Sequence, residues 1–379
     1  MNKTENLGWA AEAYDKCVSK MKNVMAVRRD FIPYTTGADG RYCAGWWDTG
    51  WWTNGFWGGI GWQLYHGTGE EVFREEAIRT EEKMDAVFLN SGSMDHDSGF
   101  RWLPTSLAHY QEDKDPASRN RLILAADNLC GRFNPVGKFI RAWNDLPGES
   151  RAGIVIIDCM MNLPLLYWAY EETGDMRYLH IAKAHAEMAM NHFIREDGSS
   201  CHIVSMNPEN GEFIDSIGGQ GYGHGSSWTR GQTWALYGFA LSYQHTGDVR
   251  YLETSRKVAD YFISQIPESG LIPVDFRQPP EPAWEDSSAA AIAACGFLQL
   301  ASLLKDSDAD GSRKYYDTAV FLLKTLTEKR CDFTDATENI VQKCTAAYHD
   351  KDHEFALVYA DYYYIEALAK LLDKELFIW

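Results

Sequence analysis

Apolar residues recur every three or four positions along most of this chain, the spacing that buries one face of an α-helix. Between Asn6 and Val27 the series Leu7, Ala11, Tyr14, Val18, Met21 and Met25 predicts an amphipathic helix. The same spacing predicts further helices near residues 53–67, 70–89, 99–111, 116–133, 154–171, 175–195, 228–245, 249–266, 286–304, 310–329 and 357–373. An irregular stretch rich in Gly, Tyr and Trp, roughly residues 28–50, follows the first helix. Strand patterns are scarce, and the short extended pieces at 200–205 and 270–276 are expected in loops.

A short signature marks the joints. Thr68-Gly69-Glu70, Thr173-Gly174-Asp175 and Thr246-Gly247-Asp248 each close one helical pattern and open another. Gly suits the left-handed position after a helix, and the acid suits the N-cap of the next. An aromatic residue follows three positions after the acid (Phe73, Tyr178, Tyr251) and a small one seven positions after it (Ala77, Ala182, Ser255). Weaker versions lie near Glu112–Asp115 and Asp306–Asp310. The unequal spacing of these joints excludes a short solenoid repeat and favours helical hairpins joined by long loops. The expected fold is all-α, an (α/α)6 barrel of inner and outer helices. Its inner helices would be the Gly-, Ala- and aromatic-rich segments, including 53–67, 228–245 and 286–304. No Gly/Ser/Pro-rich linker divides the chain, and QPPEP at 278–282 reads as a rigid loop, so residues 1–379 are expected to form one catalytic domain.

One residue interrupts the apolar pattern in an unusual way. The run Ile154–Trp168 reads as a buried helix with a single acid, Asp158, at its centre. An acid there is paired, or protonated with a raised pKa, or both. It could also cap a helix that starts later than the pattern suggests.

Composition narrows the chemistry. With 36 basic and 54 acidic side chains the net charge is −18, which argues against nucleic acid or an anionic membrane as partner. A small anionic substrate needs only one local cation. The 14 Trp suit core packing, but those near Gly-rich turns also suit stacking on sugar rings. Eight Cys, at 17, 43, 130, 159, 201, 295, 331 and 344, lack zinc-like spacing and read as free thiols of a reducing compartment. No signal-peptide core is visible and no run is expected to reach transmembrane length. A cytoplasmic location is expected, or a periplasmic one if a leader has been removed.

Polar clusters sit in the loops before predicted helices, at 94–100, 218–234 and 285–291. Asp97 and Asp286 each precede a helix and fit either N-capping or chemistry. His96, His202 and His224 lack paired metal spacing, so no metal and no cofactor is expected. The glycines of 218–225 lack GK[ST] and a preceding strand, and Ser226 and Ser227 match no nucleophile elbow. Arg230 fits a surface, capping or binding role equally well.

Seven blocks together carry a family resemblance: WTNGFWGGI (52–60), HDSGF (96–100), IIDCMMNLPLL (156–166), MNPENG (206–211), SSWTRGQTWALYGFAL (226–241), DSSAAAIAACG (286–296) and DYYYIEAL (361–368). From about Trp51 to Leu372 the chain resembles glycoside hydrolase family 88, the unsaturated glucuronyl hydrolases. The resemblance implies an (α/α)6 barrel. It also implies removal of a terminal 4,5-unsaturated uronate from lyase-generated oligosaccharides, such as those of glycosaminoglycans. In that chemistry an acid protonates C4 of the C4=C5 bond and water adds at C5, so carboxylate-separation rules for attack at the anomeric carbon do not apply. By resemblance, Asp158 is the acid/base and Asp97 its partner carboxylate. Trp52, Trp143 and Trp234 line the sugar cleft, and His96 and His202 lie near the substrate. Gln220 and Arg230 contact the uronate end, where a guanidinium suits a carboxylate. Asn54 stands where the family often carries an acid, and residues 343–356 match the family's substrate-distal pocket poorly. The related rhamnogalacturonyl hydrolases of pectin fragments carry a paired Asp-Asp where this chain has IDCMMN. A non-catalytic sugar-binding barrel is the third reading, and retention of both acids opposes it. The partner expected is an unsaturated oligosaccharide, with the protein a monomer or dimer.

Overall fold

The computed structural model describes residues 7–27, 31–44 and 49–379. Asn6, and residues 28–30 and 45–48 of the irregular segment, lie outside the described residues.

Helices dominate. α1 (Gly8–Ala26), α2 (Asn54–Thr68), α3 (Glu71–Lys83), α6 (Pro116–Gly131), α8 (Met176–His192), α9 (Thr229–Thr246), α10 (Val249–Gln265), α11 (Ser287–Leu304), α12 (Ala309–Lys329) and α13 (Val358–Leu371) lie where the apolar spacing predicts them. The pattern at 99–111 is one interrupted helix: α4 (Ser98–Trp102) passes through a π turn at Leu103–Leu107 into α5 (Ala108–Asp113). Pro104 in that turn has no N–H to give to the α ladder.

The joints follow from local chemistry. Gly69, Gly174 and Gly247 close their helices in the left-handed region, at φ 71°, 73° and 67°. Asp175 and Asp248 then cap the next helix by accepting from the backbone N–H of Arg177 and Arg250. Glu70 makes no such side-chain cap. The aromatic three residues on is buried in each case, at Phe73, Tyr178 and Tyr251. α2 packs on α3, α4 on α6, α7 (Pro164–Thr173) on α8, α9 on α10, α11 on α12 and α1 on α13. Among α2, α4, α7, α9, α11 and α13, contacts run α2–α4, α4–α7, α7–α9, α9–α11, α11–α13 and α13–α2. Small residues allow the closest of these: a Cβ on Gly55 would lie 2.2 Å from the Phe100 carbonyl oxygen.

Two expectations are corrected. Residues 154–171 are not one buried helix. β5 (Ile154–Ile156) comes first, then a 3-10 turn at Ile157–Met161, and α7 begins only at Pro164. The β-branched run Ile-Val-Ile favours a strand, Pro suits the first turn of a helix, and an all-apolar run carries no period to tell the two apart. β5 pairs antiparallel with β6 (Ile203–Met206), which pairs with β7 (Phe213–Ile217). Two small hairpins, β1 (Pro33–Thr36) with β2 (Tyr42–Ala44) and β3 (Phe133–Asn134) with β4 (Phe139–Ile140), complete the strands among the described residues. Second, α11 is long and apolar enough to cross a membrane, yet 89% of it is buried inside the fold. It is a core helix whose Ala and Gly residues let neighbours approach on every side.

One continuous apolar core runs from Ala10 to Trp379. A small separate cluster, Ala142, Ile156 and Ile203, lies under Trp143 beside the three-stranded sheet.

Candidate active site

Strand pairing places the first two groups. Ile156 faces Ile203 across β5 and β6, and the Ile157 N–H donates to the His202 carbonyl at 3.0 Å. Asp158 and His202 therefore leave adjacent strand ends side by side, with His202 Nε2 at 3.7 Å from Asp158 Oδ1. His202 Nδ1 accepts the backbone N–H of Gln220 at 2.9 Å, so the ring proton sits on Nε2 and points toward the acid. Burial holds the His202 imidazole neutral, with its pKa down to about 3, and the ring packs on Trp228 at 4.1 Å between centroids.

Asp158 is mostly buried, with 14% of its side chain exposed, and its Oδ1 is buried with no hydrogen-bond partner. Burial pushes its pKa up to about 7, against the pull of the Arg230 charge and a backbone N–H. A carboxyl poised there can give a proton near neutral pH and take one back.

Asp97 stands at the N-cap position of α4 but makes no side-chain cap. Its carboxyl accepts a 3.3 Å hydrogen bond from the Asn162 amide and lies 3.4 Å from His96 Nε2. Burial, then the charge of Asp95, pushes its pKa well above the usual carboxylate range; Arg101 opposes them, and the Asp158 charge adds to the rise. Asp95 is already committed, accepting from the Asp97 backbone N–H at 2.9 Å and from Arg101 at 2.5 Å. Burial also keeps His96 neutral, with its pKa down to about 4, and its Nδ1 is unpartnered.

Arg230 is fully buried. Its Nη1 meets Asp286 Oδ2 at 2.5 Å and the Thr345 carbonyl at 2.9 Å, and its Nη2 meets the Ala346 carbonyl at 2.6 Å. Trp228 and Tyr359 flank the guanidinium at 4.5 and 5.5 Å. Its Nε is the donor left without a partner. The guanidinium is thus built into the wall by Asp286 rather than held free for a substrate carboxylate. Asp286 accepts from Ser288 N–H at 3.1 Å, so it also caps α11.

The remaining predicted residues divide. Trp52 is half-buried against Phe56, Phe100 and Tyr359, a flat aromatic wall. Trp143 is half-buried, with the Arg151 guanidinium 5.4 Å over its ring. Trp234 has no exposed surface and is wedged between Phe100 and Tyr363, so it backs the wall rather than facing the cleft. Gln220 is half-buried and bolts two loops together: its side-chain amide donates to the Ala346 carbonyl at 2.8 Å and its backbone carbonyl accepts from Tyr348 N–H at 2.9 Å.

Asn162, Tyr359 and Tyr363 are absent from the sequence-based set. The two tyrosine hydroxyls are buried and unpartnered. Asn162 does carry a signal, as the second polar side chain of the 156–166 block, four residues after Asp158. Among the described residues no group of three or more His, Cys, Asp or Glu is placed to hold a metal ion. The cluster therefore offers a carboxyl with a pKa of about 7, a second high-pKa carboxyl, two neutral imidazoles and an aromatic wall, a set suited to proton transfer on a sugar.

The family model described as Glycosyl Hydrolase Family 88 matches residues 39–371. An unsaturated glucuronyl hydrolase of Bacillus sp. (strain GL1) is 37% identical over 348 residues, 90% of this chain and 91% of that protein. An unsaturated chondroitin disaccharide hydrolase of Streptococcus pneumoniae is 32% identical over 324 residues, 84% of this chain and 81% of its own. The crystal structure of the unsaturated glucuronyl hydrolase from Bacillus sp. GL1, responsible for glycosaminoglycan degradation, superposes with a TM-score of 0.89 at 34% identity, covering 96% of each chain.

Proposed function

The chain belongs to glycosyl hydrolase family 88, an enzyme family acting on glycosyl bonds, and from that premise we propose that it removes the 4,5-unsaturated uronate from the non-reducing end of lyase-generated oligosaccharides. The observation that carries the proposal is Asp158, a mostly buried carboxyl with an unpartnered Oδ1 and a pKa pushed up to about 7.

Asp158 gives its proton to C4 of the vinyl ether, and positive charge develops at C5 and the ring oxygen. Water attacks C5 and returns a proton to the Asp158 carboxylate. The hemiketal opens by breaking the bond between C5 and the ring oxygen, leaving a C5 ketone and a hemiacetal at C1. That hemiacetal expels the rest of the oligosaccharide as an alcohol. One water is consumed and the acid is regenerated. Asp97 shares the pocket as partner carboxyl. Neutral His202 directs its Nε2 proton toward Asp158, and His96 stands beside Asp97. The half-buried Trp52 and Trp143 are the stacking surfaces, with Trp234 behind them. Arg230, locked by Asp286 and the Thr345 and Ala346 carbonyls, acts on the uronate through its buried positive charge, and Gln220 holds the loop at Ala346 in place.

The closed succession α2–α4–α7–α9–α11–α13, each helix backed by an outer partner, supports reading the fold as an (α/α)6 barrel. The continuous core supports a single domain. Eight free thiols support a reducing, cytoplasmic setting.

The test is loss of absorbance of the conjugated uronate when an unsaturated chondroitin or hyaluronan disaccharide is added. Asp158→Asn should fold as the wild type and lose at least ~10³-fold in kcat, because an amide keeps the shape without the proton. Wild-type kcat should fall above about pH 7 as Asp158 ionises. Retained turnover in Asp158→Asn would overturn the assignment.

A further inference from the structure

α4 begins at the acid pair, and its capping is unusual. Asp97 holds the N-cap position, yet its carboxyl accepts no backbone N–H of that helix. The missing acceptor comes from 62 residues away in sequence, where Asn162 Oδ1 takes the Phe100 N–H at 2.8 Å. Phe100 is the third residue of α4, the donor that an N-cap side chain normally satisfies. The Asn162 amide nitrogen donates to the Asp97 carboxyl at 3.3 Å and to the backbone carbonyl of Asp158 at 3.3 Å. Asn162 has no exposed surface, and Gly99 packs against it so closely that a Cβ would lie 2.6 Å from the Asn162 Cα.

We propose that Asn162 is a positioning residue for the Asp97 carboxyl: it caps α4 in place of Asp97, leaves that carboxyl free of helix capping, and ties it to the backbone at Asp158. This rests on the function proposed above. The physical logic is a division of labour. An N-cap aspartate bound to its own helix is an ionised, immobilised acceptor. Transferring that task to a neutral amide leaves Asp97 one weak hydrogen bond and a high pKa. Losing the amide donor, which favours the ionised form, should raise the Asp97 pKa further.

Wild-type turnover of an unsaturated disaccharide is measured first; without it the functional reading falls, and this inference with it. Given turnover, Asn162→Asp decides. It keeps the cap acceptor but removes the amide donor. Its Tm should stay within about 2 °C of wild type. Its kcat should drop about 10- to 100-fold with KM changed less than about threefold. The limb of the pH–rate profile set by the carboxyl pair should move to higher pH. Asn162→Ala, which loses cap and donor together, should lower both Tm and kcat. Should Asn162→Asp not fold, Asn162→Ser, which keeps a hydroxyl acceptor, carries the same readout. Wild-type kcat with an unmoved pH profile in Asn162→Asp, or in its substitute, would overturn the proposal. So would a loss in Asn162→Ala that follows only the unfolded fraction.

Discussion

Asp97 and Asp286 occupy the same place in the secondary structure, the N-cap of a helix in the inner succession, and both are buried. Their surroundings have opposite effects. Asp286 accepts from the Ser288 N–H at 3.1 Å, from the Ser288 hydroxyl at 2.5 Å and from the Arg230 guanidinium at 2.5 Å. It is paired with Arg230, and through Arg230 it holds the Thr345 and Ala346 carbonyls. Asp97 has one 3.3 Å hydrogen bond, and its neighbours include a second acid. The first carboxyl is spent on structure; the second keeps the unsatisfied proton affinity that chemistry requires. Residue type and helix position are the same, so the difference lies in what distant segments bring alongside.

That contrast can be broken by exchanging the consequences. Asp97→Asn should cost about 10²- to 10⁴-fold in kcat while leaving the urea midpoint unchanged or raised, since a poorly solvated acid is removed. Asp286→Ala should do the reverse in emphasis. It leaves Arg230 as an uncompensated buried cation and should cost about 3–5 kcal/mol in urea denaturation, with activity lost as the cleft wall loosens. Equal effects of the two variants on stability would erase the distinction.

The pH dependence of stability sharpens the same point. Asp158 holds its proton up to about pH 7 when folded, whereas in the unfolded chain it loses it near pH 4. The folded state binds the extra proton between these values, so this residue makes stability fall as pH rises from about 4 to 7. Asp158→Asn should therefore be more stable than wild type at pH 8, by an amount of the order of a few kcal/mol, and nearly equal to it at pH 4. Thermal melts across that window measure it. Smallest of all is the control cap. Asp248, half-buried and far from the acid pair in sequence, caps its helix and pairs with Arg250, and Asp248→Ala should cost about 0.5–2 kcal/mol without touching kcat.

Much of the scaffold was legible in the residue order. Three-four spacing placed α1, α2, α8, α9, α10, α11 and α12, and the Thr-Gly-Asp joints named both the glycines at positive φ and two working caps. These are local effects, decided within one or two turns of chain. Asp158 was conspicuous for the same reason, as the acid in an apolar run, although the run proved to be strand, turn and helix instead of one helix. In a segment buried on all sides no polar face remains to betray the period.

Other features were out of reach because they depend on residues far apart in sequence. Arg230 looked free to grip a uronate until Asp286, 56 residues on, was found against it. Trp234 looked like a sugar platform until Phe100 and Tyr363 closed over it. The residue order by itself determined where helices start and stop and which acids had to be explained. Only the tertiary structure decided which of those acids is satisfied. A carboxyl's proton affinity is set by the dipoles and charges within a few ångströms of it, and here most of those come from other helices and loops.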